Sequence, residues 1–196
     1  MRCLVVFCHP SETSFGAAIL ETARTAIRDA GHDLRVIDLY RERFDPVLST
    51  EEWHSYLADT ARNIAAVRDH VEAMQWAESL VLIFPQWMYG PPALLKGWLE
   101  RVWLPGVAFE IPSGRHKRAV GRLHNIRQLT VVTTSGSPWW WLFLIRDPCR
   151  SMFRRGFRVL FHRRCRILWL QMYDINYSTD VQRRNFLDRV RRTLAA

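Results

Sequence analysis

Short apolar runs that alternate with amphipathic stretches limit what this chain of 196 residues can fold into. The first run, residues 3–8, is continuously apolar and β-branched in its middle, which is typical of a strand that a parallel sheet buries on both faces. Further runs of this kind occupy residues 34–39, 79–84, 129–133 and 167–172. Stretches with helical spacing of apolar residues separate them, at residues 14–30, 49–76, 91–102, 138–161 and 178–194.

Residues that commonly begin, end or interrupt helices support these boundaries. Gly31 predicts the end of the first helix, and Ser49 with Glu52 forms a capping-box pattern. Pro148 predicts a break in the helical region 138–161, and the glycines and prolines of residues 104–125 indicate a long loop of the kind that forms lids. The alternation predicts one α/β domain over residues 1–196, a flavodoxin-like three-layer sandwich with a five-stranded parallel sheet of order 2-1-3-4-5.

Three turns follow from this fold as the candidate site, because ligands bind beyond the carboxyl ends of the strands in such sheets. They are residues 9–15, 85–90 and 134–138. The first turn carries several hydroxyl side chains directly before a helix N-terminus, a combination that binds phosphate but also caps ordinary helices. No GxGxxG or Walker pattern is present, which argues against a Rossmann or P-loop site.

The second turn contains the large side chains Trp87, Met88 and Tyr89. Their exposure on a turn is costly unless they cover something flat and apolar, and an isoalloxazine ring meets that need. Packing on a neighbouring loop or on a partner chain is the alternative. The third turn contains Ser135 and Gly136, small residues that allow close backbone approach to a ligand but are common in turns of any kind.

Composition excludes several classes of protein. The four cysteines include no CxxC pair, so no metal site is predicted and a reducing, cytoplasmic setting is expected. The N-terminal stretch lacks the features of a signal peptide. Electron-carrier flavodoxins are typically acidic, whereas this chain has a net charge of +9. Receiver domains need paired acids after the first strand, where His9 and Pro10 stand instead.

The basic charge is regional. Eight arginines crowd one segment: Arg146, Arg150, Arg154, Arg155, Arg158, Arg163, Arg164 and Arg166. No RNP-like or helix-turn-helix pattern accompanies them, so no nucleic-acid partner is expected. A basic stretch with interleaved phenylalanines and a run of three tryptophans predicts peripheral contact with an anionic membrane surface through residues 139–166. The alternative is that its apolar side belongs to the core and to a dimer interface.

Four motifs resemble those of the NAD(P)H:quinone oxidoreductase family of flavodoxin-like flavoproteins, over about residues 2–140: HPSETSF, DLYRERFDPVLS, FPQWMYGPPALLKGWLERVWLPGVAF and VTTSGSPW. The resemblance implies a tightly held flavin, with FMN favoured and FAD the alternative. It further implies NADH or NADPH as electron donor, ping-pong two-electron reduction of quinones or similar acceptors, and a homodimer with the active site at the subunit interface.

Carried over by motif, the residues that meet the flavin phosphate would be His9, Thr13, Ser14, Phe15 and Ala17. Those that line its ring would be Pro85, Gln86, Trp87, Met88 and Tyr89, with Thr133, Thr134, Ser135 and Gly136 on the pyrimidine side. Phe109 would belong to the substrate cavity, and Arg115, Lys117 and Arg118 would attract the dinucleotide phosphates.

The chain departs from the family beyond the third turn. Better-known members carry a Tyr and a His there, whereas this chain reads SPWWWLFLIRDP. We therefore predict that Tyr89, the titratable residue of the second turn, is catalytic and donates a hydrogen bond to the acceptor. A homodimer is predicted from Trp98, Trp103 and the tryptophans at 139–141, because together they present more aromatic surface than one chain is expected to bury. The alternative function is an ancillary subunit of a potassium-efflux system with weak reductase activity.

Overall fold

The computed structural model describes residues 1–111 and 119–195. Its strands are β1 (Arg2–Phe7), β2 (Asp33–Asp38), β3 (Ser79–Pro85), β4 (Phe109–Glu110), β5 (Val120–Gly121), β6 (Gln128–Thr134) and β7 (Arg166–Met172). Five of them form one sheet in the order β2-β1-β3-β6-β7, with every neighbouring pair parallel. The predicted flavodoxin-like order 2-1-3-4-5 is confirmed.

The α-helices are α1 (Phe15–Asp29), α2 (Thr50–Ser55), α3 (Thr60–Ala66), α4 (Arg68–Trp76), α5 (Ala93–Val102), α6 (Trp139–Leu144), α7 (Pro148–Ser151) and α8 (Asp180–Leu194). A π-helical turn, Met152–Gly156, and a 3-10 turn, Phe157–Leu160, continue the chain after α7, and a second 3-10 turn spans Ile175–Tyr177. Gly31 ends α1 with a φ of 72°, as predicted.

The side chains of β1 show how two helical layers cover the sheet. Cys3, Val5 and Phe7 pack with α1 and α8 on one face. Leu4 and Val6 pack on the other face with residues of α4, α5 and the π-helical turn. Because successive side chains of a strand point to opposite faces, a continuously apolar strand needs cover on both. The three-layer sandwich follows from that requirement.

The prediction of one helix over residues 49–76 is wrong, because this stretch forms the three helices α2, α3 and α4. The capping box of Ser49 and Glu52 is present at the start of α2. The buried hydroxyl of Ser55 donates to Asn63 Oδ1 at 2.5 Å, and the Asn63 amide donates to the Glu52 carbonyl at 2.8 Å. These bonds hold α2 against α3, and a chain that turns back to make them cannot continue as one straight helix.

The predicted long loop, residues 104–125, is regular in part. β4 and β5 pair as an antiparallel ribbon within it. Two-residue strands are too short to produce a period-2 pattern, so the sequence could not show them. Gly121 lies so close to the backbone of Val159 and Leu160 that a Cβ would overlap them, which locks this ribbon to the segment after α7. Arg115, Lys117 and Arg118 lie outside the described residues.

Pro148 breaks the predicted helix 138–161, as expected, by opening the short helix α7. The phenylalanines of its C-terminal part, Phe153, Phe157 and Phe161, face inward. Phe153 and Phe161 are buried in the core that contains β3 and α5, and Phe157 is packed against it. The structure therefore supports the alternative for this side of the segment, namely that it is core. Most of the apolar side chains of this region that stay exposed lie instead on α6, at Trp139, Trp140, Phe143 and Leu144, with Val159 on the 3-10 turn.

Part of the basis for the predicted dimer is wrong. Trp98 and Trp103 are buried inside the chain's own core, where their rings contact edge to face. Trp98 also donates its indole N–H to Nδ1 of His70 at 3.2 Å. One chain of this size therefore buries more aromatic surface than its composition suggested. Of the tryptophans from which the dimer is predicted, those at 139–141 are exposed and present aromatic surface to a partner.

Candidate active site

The first predicted turn is a rigid loop held by its own side chains. His9 Nδ1 accepts the backbone N–H of Ser11 at 3.0 Å, and Ser14 Oγ donates to the Ser11 carbonyl at 2.8 Å. Ser14 also accepts the N–H of Ala17 at 3.1 Å and so caps α1. Gly16 approaches the His9 ring so closely that a Cβ would lie 3.2 Å from it. The hydroxyl-rich loop and the α1 N-terminus are thereby fixed together.

Burial lowers the pKa of His9, which favours the neutral imidazole. Since Nδ1 accepts a hydrogen bond from Ser11, the ring proton of the neutral form is on Nε2. The His9 ring lies 6.5 Å from the ring of Trp87, centroid to centroid. The first and second predicted turns therefore meet at these two aromatic side chains.

The second turn reverses the chain directly after β3. Trp87 and Gly90 exchange backbone hydrogen bonds of 3.0 Å, and the two residues between them, Met88 and Tyr89, have φ values of 48° and 62°. Positive φ at both central positions is the pattern of a type I′ turn, which costs free energy for residues other than glycine, asparagine or aspartate. The turn projects Met88 into solvent, 93% exposed.

Among the described residues, one hydrogen bond holds the Tyr89 hydroxyl. The indole N–H of Trp141 donates to Tyr89 Oη at 3.1 Å. Because an indole only donates, the phenol is the acceptor in this pair and its own proton stays free. Trp141, on α6, was not predicted to belong to the site.

The third turn follows β6 and is hydrogen-bonded to the end of β7 and to the loop after β7. Ser135 is buried, and its N–H donates to the Met172 carbonyl at 2.9 Å. Its hydroxyl accepts the amide of Gln171 at 3.1 Å. The side-chain amide of Asn176 lies 3.2 Å from the place where a Cβ of Gly136 would stand. The binding rule applied to the end of the fifth strand would have pointed to Asn176, which the sequence analysis missed.

Together the second and third turns line a cleft of about 300 Å³, bounded by Gln86, Met88, Tyr89, Ser135, Gly136 and Ser137. We call it the three-turn cleft, because the first turn lies beside the second, with His9 next to Trp87. The backbone N–H of Gln86 donates to the Thr134 carbonyl at 2.7 Å, which holds the two turns side by side. The residues predicted from separate stretches of sequence therefore meet at one edge of the sheet.

Polar atoms beside this cleft have no partner. Gln86 is only 9% exposed, yet within the described residues neither the nitrogen nor the oxygen of its side-chain amide makes a hydrogen bond. The buried hydroxyl of Thr133, at the end of β6, is in the same condition. Buried polar groups are almost always paired, and each unpaired group costs about 1–3 kcal/mol. This local pattern is typical of a site built for a polar ligand.

Two predicted residues lie elsewhere. Phe109 lines a separate, mainly apolar cleft of about 320 Å³ with residues of α5 and of the segment after α7. The ring of Phe15 packs on Phe186 of α8, with a centroid distance of 6.1 Å, and beneath the guanidinium of Arg183. Their expected contacts with substrate and with flavin phosphate stay predictions.

Comparisons with known proteins agree with this fold. Residues 1–142 match the family model described as a flavodoxin-like fold. The chain is 30% identical over 151 residues to NAD(P)H dehydrogenase (quinone) 1 of Cavia porcellus, an alignment that covers 69% of this chain and 54% of that protein. An uncharacterised NAD(P)H oxidoreductase of Haemophilus influenzae is 33% identical over 138 residues, with coverages of 70% and 65%.

A solved structure covers the whole chain. The NAD(P)H:quinone oxidoreductase from Methanothermobacter marburgensis superposes with a TM-score of 0.83 at 27% identity, covering 100% of this chain and 98% of that one. By contrast, this chain spans just over half the length of the first curated relative.

The unpaired amide of Gln86 yields a stability prediction. Gln86→Leu keeps the side-chain volume but removes two unsatisfied buried atoms, so we expect the ligand-free protein to gain about 1 kcal/mol in free energy of unfolding. Urea denaturation measures it.

Gln171→Leu is the matched control for that measurement. The Gln171 amide donates to Ser135 and accepts the Trp169 indole N–H at 2.7 Å, so the same substitution there should destabilise the protein. Equal destabilisation by both substitutions would show that Gln86 has partners after all.

Proposed function

This chain belongs to the family of proteins with a flavodoxin-like fold, and on that basis we propose that it is a flavin-dependent NAD(P)H oxidoreductase that reduces quinones or similar acceptors by two electrons. The proposal treats residues 1–196 as one flavin-binding domain. FMN is the proposed flavin, with FAD the alternative. Its relatives named as quinone dehydrogenases and oxidoreductases support the reaction class.

The observation that carries the proposal is the unsatisfied polar edge of the three-turn cleft. The polar rim of a flavin ring both donates and accepts hydrogen bonds, and the Gln86 amide offers an NH₂ donor group and a carbonyl acceptor. The Thr133 hydroxyl adds another group of either kind. The residues present therefore fit the ring. The partly exposed rings of Trp87 and Tyr89, in the same turn as Gln86, offer the flavin a flat apolar cover.

The first turn supplies the place for the flavin phosphate. Thr13 and Ser14 precede the free amides of α1, and the positive end of the helix dipole favours an anion there. The neutral His9 ring, with its proton on Nε2, offers one more donor. When bound, the flavin supplies the chemistry that takes a hydride from NAD(P)H and passes it to the acceptor. We propose that donor and acceptor use the same cleft in turn, which makes the kinetics ping-pong.

Tyr89 is the proposed catalytic residue of the acceptor step. Trp141 holds the phenol oxygen in place while leaving its proton free to donate to a quinone oxygen at the cleft. This arrangement replaces in part the Tyr and His that related enzymes carry beyond the third turn.

The remaining expectations stay proposals. The homodimer now depends on the exposed apolar side chains of α6, of which Phe143 is 80% exposed. Contact with an anionic membrane surface through residues 139–166 would use the same helix and the neighbouring arginines. No helix among the described residues is long and apolar enough to cross a membrane. The cytoplasmic location, with or without a position at the inner face of the membrane, is a prediction as well.

The proposed function has a direct spectroscopic test. We expect the purified protein to be yellow, to release FMN on denaturation, and to lose its flavin absorbance under anaerobic NADH or NADPH. Chromatography of the released flavin distinguishes FMN from FAD. A colourless protein that neither flavin reconstitutes would contradict the proposal, whereas a flavoprotein that reduces quinones poorly would favour the ancillary subunit.

Tyr89→Phe should slow acceptor reduction about hundredfold to thousandfold, the usual effect of removing one well-placed donor. Stopped-flow measurement of the two half-reactions checks this, because reduction by NAD(P)H should keep its rate.

Trp141→Phe is the control for Tyr89→Phe. It removes the bond that orients the phenol but leaves the phenol itself, so the loss should be smaller. If Tyr89→Phe leaves the acceptor step unchanged, Tyr89 only packs.

The dimer prediction is tested by sedimentation. We expect a species of twice the 23.1 kDa chain mass at micromolar concentration. Substitution of Phe143 and Leu144 by serine should shift it toward the monomer, since both are among the exposed apolar side chains of α6. A wild-type monomer at that concentration would refute the proposal.

A further inference from the structure

A third, larger cleft of about 660 Å³ opens between α6, α7 and the π-helical turn that follows α7. Four arginines line it: Arg146, Arg150, Arg154 and Arg155. We call it the arginine cleft. It contains none of the residues that line the cleft of the three turns. Nothing in the proposed flavin site uses these side chains, so their concentration at one place needs its own explanation.

The protein compensates the charge of the arginine cleft only in part. Within residues 1–111 and 119–195 none of the four guanidinium groups lies within 4.0 Å of a carboxylate, whereas Arg101 and Arg122 pair with Glu52 and Glu110. Asp147 is the one acid of the lining, and its carboxylate accepts the backbone N–H of Arg150 at 3.0 Å as the cap of α7. Four like charges around one cavity repel one another, and a bound anion removes that repulsion.

The backbone that carries these arginines adopts uncommon conformations. Arg146 and Asp147 both adopt left-handed conformations, with φ of 60° and 33°. The Asp147 N–H donates to the Leu142 carbonyl at 2.7 Å, and the Ser151 hydroxyl donates to the Arg146 carbonyl at 2.8 Å. Arg154 and Arg155 then lie in a π-helical turn, a feature that is frequent at functional sites. Strained backbone of this kind persists where the surroundings enforce it, most often at binding sites.

Aromatic walls face the same space. Trp139 and Phe143 are one helical turn apart on α6, and Tyr173 follows the carboxyl end of β7. Arginine forks bind phosphate through paired hydrogen bonds, and aromatic faces stack on nucleobases. A cavity with four guanidinium groups and three aromatic rings therefore suits a ligand that carries phosphate beside a planar base.

The arginine cleft adjoins the three-turn cleft. Ser137 lines the three-turn cleft, and Trp139, two residues further along the chain, lines the arginine cleft. Two residues span at most about 7 Å. The N–H of Asp174, next to Tyr173, donates to the Ser137 carbonyl at 3.4 Å and joins the two walls. A dinucleotide with one base in the three-turn cleft has its other end within reach of the arginines.

We propose that the arginine cleft binds the adenosine-phosphate end of the pyridine nucleotide and makes NADPH the preferred donor over NADH. This inference rests on the proposed function, because the nicotinamide end must lie at the flavin. NADPH differs from NADH by a 2′-phosphate, a dianion near neutral pH. Guanidinium groups without carboxylate partners are suited to recognise that additional charge.

The experiment compares two double substitutions with equal loss of charge. Arg154→Ala with Arg155→Ala removes two guanidinium groups from the cleft. Arg163→Ala with Arg164→Ala, at exposed positions outside the cleft, is the matched control. Calorimetry with 2′,5′-ADP measures binding to the flavin-containing protein without turnover. Steady-state kinetics with NADPH and NADH measure the preference.

We expect the wild type to bind 2′,5′-ADP, with affinity that falls as salt rises. The cleft double variant should bind it at least about tenfold more weakly, since bonds to charged groups are among the strongest, and the control variant should bind as the wild type does. The KM for NADPH should rise by a similar factor in the cleft variant, with a smaller change for NADH.

Three results would overturn the inference: no binding of 2′,5′-ADP by the wild type, equal effects of the two double variants, or equal losses with NADPH and NADH. Co-sedimentation with phosphatidylglycerol vesicles that depends on Arg154 and Arg155, in a protein that does not bind 2′,5′-ADP, would assign the cleft to a membrane surface. Failure of the proposed function is separate, since a flavin that neither nucleotide reduces leaves the binding of 2′,5′-ADP measurable.

Discussion

The burial of the central parallel strands on both faces is the constraint on which the rest of this structure depends. Every residue of β3 is buried, and β1 is buried from its second residue onward. Such strands leave no room for polar chemistry along their length, because helices must cover both faces. All strands of the sheet run in one direction, so their carboxyl ends open at one edge. The polar turns, the hydroxyl groups and the amides available for ligands are collected there.

Unpaired buried polar atoms are concentrated at that edge. Elsewhere most buried polar groups are paired, as the Ser55–Asn63 bond shows, although the indole N–H of Trp103 lacks a partner among the described residues. Beside the three-turn cleft, Gln86 and Thr133 are buried without partners, and Met88 and Tyr89 adopt a backbone conformation that favours glycine. Unpaired amides and strained turns both reduce stability. Their coincidence at the edge where the fold binds ligands explains why they persist.

The distribution of charge and aromatic surface follows the same division. Trp98 and Trp103 fill the interior, whereas the tryptophans of α6 stay exposed beside four arginines that form no ion pair within 4.0 Å among the described residues. Because α6 directly follows the third turn, this basic and aromatic surface lies next to the candidate active site rather than on a remote face. The positive net charge of the chain is therefore concentrated near the candidate active site, where it contributes to the electrostatic potential.

The sequence by itself determined the order of strands and helices, because the spacing of apolar residues and the capping residues are local signals. Each of them is complete within a short stretch of chain. It also determined which three turns meet, since the parallel topology brings them to one edge. It could not show that residues 49–76 fold back, because the Ser55–Asn63 bond that enforces this connects two separate helices, α2 and α3. Nor could it show that Gln86 lacks a partner or that Phe109 lies in a different cleft. Only the tertiary structure decided these points, because the presence of a partner depends on residues that are distant in the chain and adjacent only after folding.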